Sequence, residues 1–175
     1  SVGYLEENID QGQTTWTDGT LYIQSDLSQT LPAGETYHNL YLDDHTGGAT
    51  TYTMDSTIEG DLYIYAGATV QMSADITVAG DLVIDGALYT NGFALTVVAG
   101  ALDVNGTLDT TGTAAVTLGG NADFTGGTFV RGDAAFVFNG TTALTSAGYT
   151  LGDVRIDSSA GNATLTTADT MRITG

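Results

Sequence analysis

Five glycines, Gly60, Gly80, Gly100, Gly120 and Gly140, recur at a strict spacing of 20 residues. The frame that follows them also returns, as Gly60-Asp61-Leu62-Tyr63-Ile64, Gly80-Asp81-Leu82-Val83-Ile84 and Gly100-Ala101-Leu102-Asp103-Val104. Aligned on this period, like residues fall into columns: Leu62, Leu82, Leu102 and Ala122; Ile64, Ile84, Val104 and Phe124; Ala74, Ala94, Ala114 and Ala134; Ile76, Thr96, Val116 and Phe136; Val78, Val98, Leu118 and Phe138. Within a repeat the apolar columns lie two residues apart, which is strand alternation. A helix would place them three and four apart. A self-similar period of this length marks a repeat architecture.

The expected fold class is therefore all-β, a parallel β-helix (β-solenoid) of about 20 residues per coil. Each coil reads as three short strands and three corners. Stacking at about 4.8 Å per strand gives roughly eight or nine coils and a rod about 40 Å long. The crossover preference of parallel strands favours right-handed winding. Two further glycine columns, Gly86/Gly106/Gly126 and Gly92/Gly112/Gly132, mark corners, where positive φ would suit glycine. An antiparallel sandwich also has regular turns, but nothing in it keeps one residue type at one phase.

A longer repeat overlies the coils. Ala33-Gly34, Leu40, Leu42, Asp43, Gly47, Ala49 and Thr50 return at an offset of 114 as Ala147-Gly148, Val154, Ile156, Asp157, Gly161, Ala163 and Thr164. Residues 1–19 fit the frame poorly and read as an N-terminal cap or irregular flank. Residues 20–175 read as solenoid, one module of about 114 residues and the start of a second, with Thr20-Leu21-Tyr22-Ile23 as the first strand. The chain opens on Ser1, which suggests a processed or excised product. Gly175 corresponds to Gly60, so an open coil is expected there, a template for strand addition by a further copy.

The Gly-x-Leu-x-(Val/Ile) steps, with Asn105-Gly106-Thr107-Leu108 and the run Leu151-Gly152-Asp153-Val154-Arg155-Ile156-Asp157, resemble repeats of large secreted β-helix proteins of bacteria. These are the filamentous haemagglutinin-like exoproteins and autotransporter passenger adhesins. The resemblance spans about residues 20–175. It implies a parallel β-helix at the cell surface or in an extracellular fibre, and says little about activity.

Charge narrows the partners. The chain has 21 acidic residues, three arginines, no lysine and a net charge of −18. Phosphate backbones need clustered cations, so nucleic acid is not an expected partner. No membrane-inserting span is visible. With no cysteine there is neither a disulfide framework nor a thiolate metal site.

Candidate sites are few. Asp61 and Asp81 stack on consecutive coils, as do Asp103 and Asp123. Carboxylates so placed are candidate Ca²⁺ ligands. Solvated surface acids are the plainer reading, because the ladder stops at Ala101 and Asn121. No cofactor is otherwise expected. Asp43-Asp44-His45 is the one compact candidate for a carbohydrate-active enzyme, but adjacent strand residues face opposite ways, and the chain reads as a non-enzyme. His38 and His45 lack a spaced partner. Tyr41, Tyr63 and Tyr65 form a candidate aromatic strip for glycans. Thr51/Thr53, Thr111/Thr113 and Thr164/Thr166 share no phase over consecutive coils, so no flat threonine array is expected. Asn105, Asn139 and Asn162 head N-glycosylation patterns. The leading expectation is a structural rod segment of an adhesin, or a fibre subunit associating head to tail. The alternative is a carbohydrate-active β-helix enzyme or glycan-binding module.

Overall fold

The computed structural model describes residues 18–45, 47–112, 115–159 and 161–174. The proposed N-terminal flank falls almost wholly outside these residues, as do Thr113, Ala114 and Gly175. The described chain is a parallel β-solenoid of about 8 turns, with no helix. Three ladders run along it, of eight, six and seven strands, and a two-stranded pair joins Thr150–Leu151 to Arg172–Ile173. The chain visits the eight-, six- and seven-stranded sheets in turn, so each sheet is one face of the coil.

Alternation explains the core. Most strand residues facing in are apolar, with Glu35 and Asp44 as buried acidic exceptions, and their neighbours along the strand face out. Leu40, Leu62, Leu82, Leu102, Ala122 and Leu144 stack through the eight-stranded sheet, each opposite the next. Tyr52, Val70, Leu88, Leu108 and Phe129 do so in the six-stranded sheet. These side chains form one continuous buried cluster. Where the leucine column shrinks to Ala122, three phenylalanines fill the space: Phe124, Phe129 and Phe136 pack edge-on or tilted, 5.4 to 6.4 Å apart.

The strict period holds in the eight-stranded sheet from Leu62 to Ala122 and at pairings such as Leu88–Leu108 and Val116–Phe136 in the other two, and slips between them. In the seven-stranded sheet Ile76 pairs with Leu95, and Leu95 with Val116. Leu95 and Val97 are therefore the buried pair, while Val98 is 48% exposed and Thr96 faces out. This corrects the columns that place Thr96 and Val98 in the core. It also breaks the alanine column: Ala94 lies beside Asp75, whose Oδ1 accepts the Ala94 N–H at 2.8 Å. The reason is that corners absorb one residue more or less without disturbing the ladders, and a side chain's face is set by its strand pairing.

The glycines carry a second correction. Positive φ occurs at Gly92 and Gly112 but not at Gly60, Gly80, Gly86, Gly100, Gly106, Gly120, Gly126, Gly132 or Gly140. Close approach of successive coils requires the main column instead. A Cβ on Gly100 would lie 2.0 Å from the Gly80 carbonyl oxygen, and one on Gly120 would lie 2.1 Å from that of Gly100. Slippage shows here too, since Gly140 sits over Gly119, and Gly127 rather than Gly126 over Gly106.

The residues related by the 114-residue offset occupy different faces. Leu40 and Leu42 belong to the eight-stranded sheet, Val154 and Ile156 to the seven-stranded one. Thr50 lies in the six-stranded sheet and Thr164 in the eight-stranded one. Each later residue falls on the preceding face of the cycle, so the offset is not a whole number of coils.

Candidate functional site

The outward side of the eight-stranded sheet gathers most of the chemistry that the sequence singles out. Its central outward column runs Tyr22, Tyr41, Tyr63, Val83, Asp103, Asp123 and Thr145. Beside it, Gln24 pairs with Asp43, and Tyr65, Asp85 and Asn105 follow just beyond the strand ends. The three tyrosines expected as a strip do meet: Tyr63 stacks on Tyr65 at 4.3 Å, and Tyr41 lies 5.9 Å from Tyr63 and 6.4 Å from Tyr65. Tyr22 adds a fourth ring, 5.9 Å from Tyr65. Its position in the first strand, opposite Tyr41, was the signal for it.

Carboxylates pin these rings. The Tyr22 hydroxyl donates to Asp43, which also accepts from Gln24 Nε2 at 3.1 Å. The Tyr63 hydroxyl donates to Asp85 at 2.5 Å, and Asn105 Nδ2 donates to the other oxygen of Asp85 at 3.0 Å. An ionised acceptor beside a phenol favours its protonated form. Hydrogen bonding to Asp43 thus pushes Tyr22 up to about 12, and Asp85 does the same for Tyr63. Tyr37 and Tyr52 also rise to about 12, chiefly because they are buried.

A pH dependence follows. A phenol whose folded pKa lies above its ordinary value of 10.0 stabilises the fold fully below pH 10. That contribution is lost as pH rises towards about 12. Alkaline titration followed by phenolate absorbance should show Tyr22, Tyr37, Tyr52 and Tyr63 ionising late, with unfolding in the same window. Ionisation of those four near pH 10 in the folded chain would contradict it.

The stacked aspartates have a local role that the sequence did not reveal. Asn39 Oδ1 accepts the Asp61 N–H at 2.8 Å, Asp61 Oδ1 accepts that of Asp81 at 2.8 Å, and Asp81 Oδ1 accepts that of Ala101 at 2.7 Å. Each side chain thus caps the backbone of the coil above it. Ala101 ends the run because it has no acceptor; Asn121 resumes it by accepting the Ala143 N–H at 3.0 Å. Asp81→Ala should cost about 1 kcal/mol by leaving the Ala101 N–H without its acceptor, and Asp81→Asn should cost much less. Equal losses for the two in chemical denaturation would remove this role.

Asp103 and Asp123 pair in register. They line a shallow depression of about 330 Å³ with Asn121 and Thr145. Asp103 accepts from Asn105 Nδ2 at 3.3 Å, and Asp123 from the Thr125 N–H at 2.8 Å. Among the described residues, no three or more His, Asp or Glu side chains converge as a metal site.

The compact trio divides as its alternation dictates. Asp43 faces out towards Tyr22, whereas Asp44 is buried at a corner, accepting from Thr50 Oγ1 at 3.0 Å. His45 is exposed, and His38 lies apart from it on the other side of the Asn39–Asp44 strand.

Sequence reasoning missed one ladder. Thr36, Thr57, Thr77, Thr96 and Thr117 stack on five consecutive strands of the seven-stranded sheet, facing out. A single threonine column therefore exists, made of residues outside the pairs Thr51/Thr53, Thr111/Thr113 and Thr164/Thr166. The one-residue slip at Leu95 hid it by moving Thr96 out of the 20-residue phase. It is a single column, flanked by Asp75, Ala94 and Val98, and not a two-column array.

Comparison with known proteins finds no match: no family model, no curated protein and no solved structure.

Proposed function

We propose that this solenoid is a structural rod, a segment of an extracellular surface adhesin or a subunit of a fibre built by end-to-end stacking of coils. The observation that carries the reading is the continuity of the scaffold: three parallel ladders run side by side around one unbroken apolar core. Tension along the coil axis would have to part whole ladders of backbone hydrogen bonds, and each coil transmits load only to its neighbours. A high negative charge keeps such rods soluble and apart along their sides. The Gly-x-Leu-x-(Val/Ile) steps resemble the repeats of large secreted β-helix proteins, and that resemblance supports a place at the cell surface.

Contact of one coil end with the opposite end of another copy is heterologous, so it propagates instead of closing. Electron microscopy and light scattering of the purified chain, with and without Ca²⁺, test both parts. Filaments or end-joined rods support assembly, and a stable monomer at high concentration rejects it. Turnover of acidic or neutral polysaccharides that disappears with Asp43→Ala and Asp44→Ala would replace the structural reading with an enzymatic one.

A further inference from the structure

We propose that the tyrosine face of the eight-stranded sheet docks an extended polypeptide segment bearing arginine or lysine side chains. The platform is aromatic: Tyr22, Tyr41, Tyr63 and Tyr65 form a connected set of rings over three successive coils, and Tyr22 is 48% exposed. Tyrosine offers a π face to a cation, and a guanidinium both stacks on rings and pairs with carboxylates.

Charge complementarity selects the occupant. Asp43 and Asp85 hold the phenols of Tyr22 and Tyr63. Asp61 and Asp81 flank the rings on one side, and Asp103 and Asp123 continue their column. No strand of this sheet contains a lysine or arginine among the described residues. The three arginines lie elsewhere: Arg155 in the seven-stranded sheet, Arg172 in the two-stranded pair, and Arg131 just beyond the Thr128–Val130 strand of the six-stranded sheet. A cation arriving here therefore meets acceptors and ring faces and no competitor.

Spacing favours an extended chain. Alternate residues of a strand-like peptide recur at about 6.7 Å. The ring centroids of Tyr22, Tyr41, Tyr63 and Tyr65 that are not stacked stand 5.9 to 6.4 Å apart. Cations on every second residue would thus meet successive rings. The pinned phenols keep the rings from rotating away, so little order has to be imposed on binding.

The test is fluorescence anisotropy with a labelled peptide alternating arginine and serine, a glutamate-for-arginine control peptide, and a neutral β-glucan oligosaccharide as a third arm. The arginine peptide should bind at low salt and weaken at least about tenfold at high salt. Tyr63→Ser with Tyr65→Ser should weaken it about fivefold or more. Asp43→Asn with Asp85→Asn should do the same while each amide oxygen still accepts a tyrosine proton, which keeps the face intact. Asp133→Asn with Asp153→Asn changes the same charge at exposed positions away from this sheet, and should change binding less than about twofold. Equal weakening by that distant pair would show diffuse acidity and overturn the site. Binding of the oligosaccharide in place of the peptide, or of neither, would overturn it as well.

Discussion

Replacing Gly100 by alanine is expected to cost about 3 kcal/mol or more, enough to threaten folding of the whole rod. The added Cβ would stand 2.0 Å from the Gly80 oxygen, 2.1 Å from the Gly80 carbonyl carbon and 2.5 Å from the Asp81 nitrogen. All three are backbone atoms of the neighbouring coil, so no side chain can swing aside. Relief requires the coils to separate, which would stretch the Asp81–Ala101 bond and the ladder from Leu82 to Leu102. Gly92→Ala is the informative comparison. Gly92 has φ +90° and open space where a Cβ would go. Its cost is backbone strain alone, about 1–2 kcal/mol. Urea unfolding of the two variants separates the causes. A Gly100→Ala loss no larger than that of Gly92→Ala would mean that coil contact does not select the glycine column.

The second large effect is expected at Phe136→Ala, about 3–5 kcal/mol. Phe136 is fully buried, 5.6 Å from Phe129 and 6.4 Å from Phe124, between Val116 and Val154 in the ladder. Truncation leaves a hole that Ala122 on the facing column is too small to fill. Because each coil touches only its neighbours, the damage should be local. Hydrogen exchange should accelerate around Val116, Phe136 and Val154 while the Leu40–Leu62 coils keep more of their protection. A loss below about 1 kcal/mol would mean that the aromatic block repacks.

Both effects bear on what could be read in advance. The coil, its parallel sheets and most of the core were legible because a solenoid repeats its environment at fixed intervals: the column Leu62, Leu82, Leu102, Ala122 is both a sequence pattern and a stack. The candidate face was legible in part. Tyr41, Tyr63 and Tyr65 came from alternation alone, whereas the partners of Tyr22 and Tyr63, Asp43 and Asp85, depend on which side chains cross between coils. The alanine column misled. Ala94 shares a phase with Ala74 yet lies beside Asp75, because a corner one residue short before Leu95, made up by one residue more before Val116, shifts the pairing of that strand and leaves the period intact afterwards.

From the chain of residues alone came the period, the alternation of apolar and polar positions, and the absence of any cation cluster. These are local or compositional quantities, and no folded contact is needed to state them. The tertiary structure decided the rest. It showed that Leu95 and Val97 face in and Val98 out, that Gly80, Gly100 and Gly120 are selected by the coil beneath them while Gly92 is selected by φ, and that aspartates cap neighbouring backbones. It also turned five threonines and four tyrosines into ladders on two different faces. The physical reason is that strand register is a pairing between coils. Hydrogen bonds and contacts across the stack set it, and corners of variable length leave it undetermined along the chain.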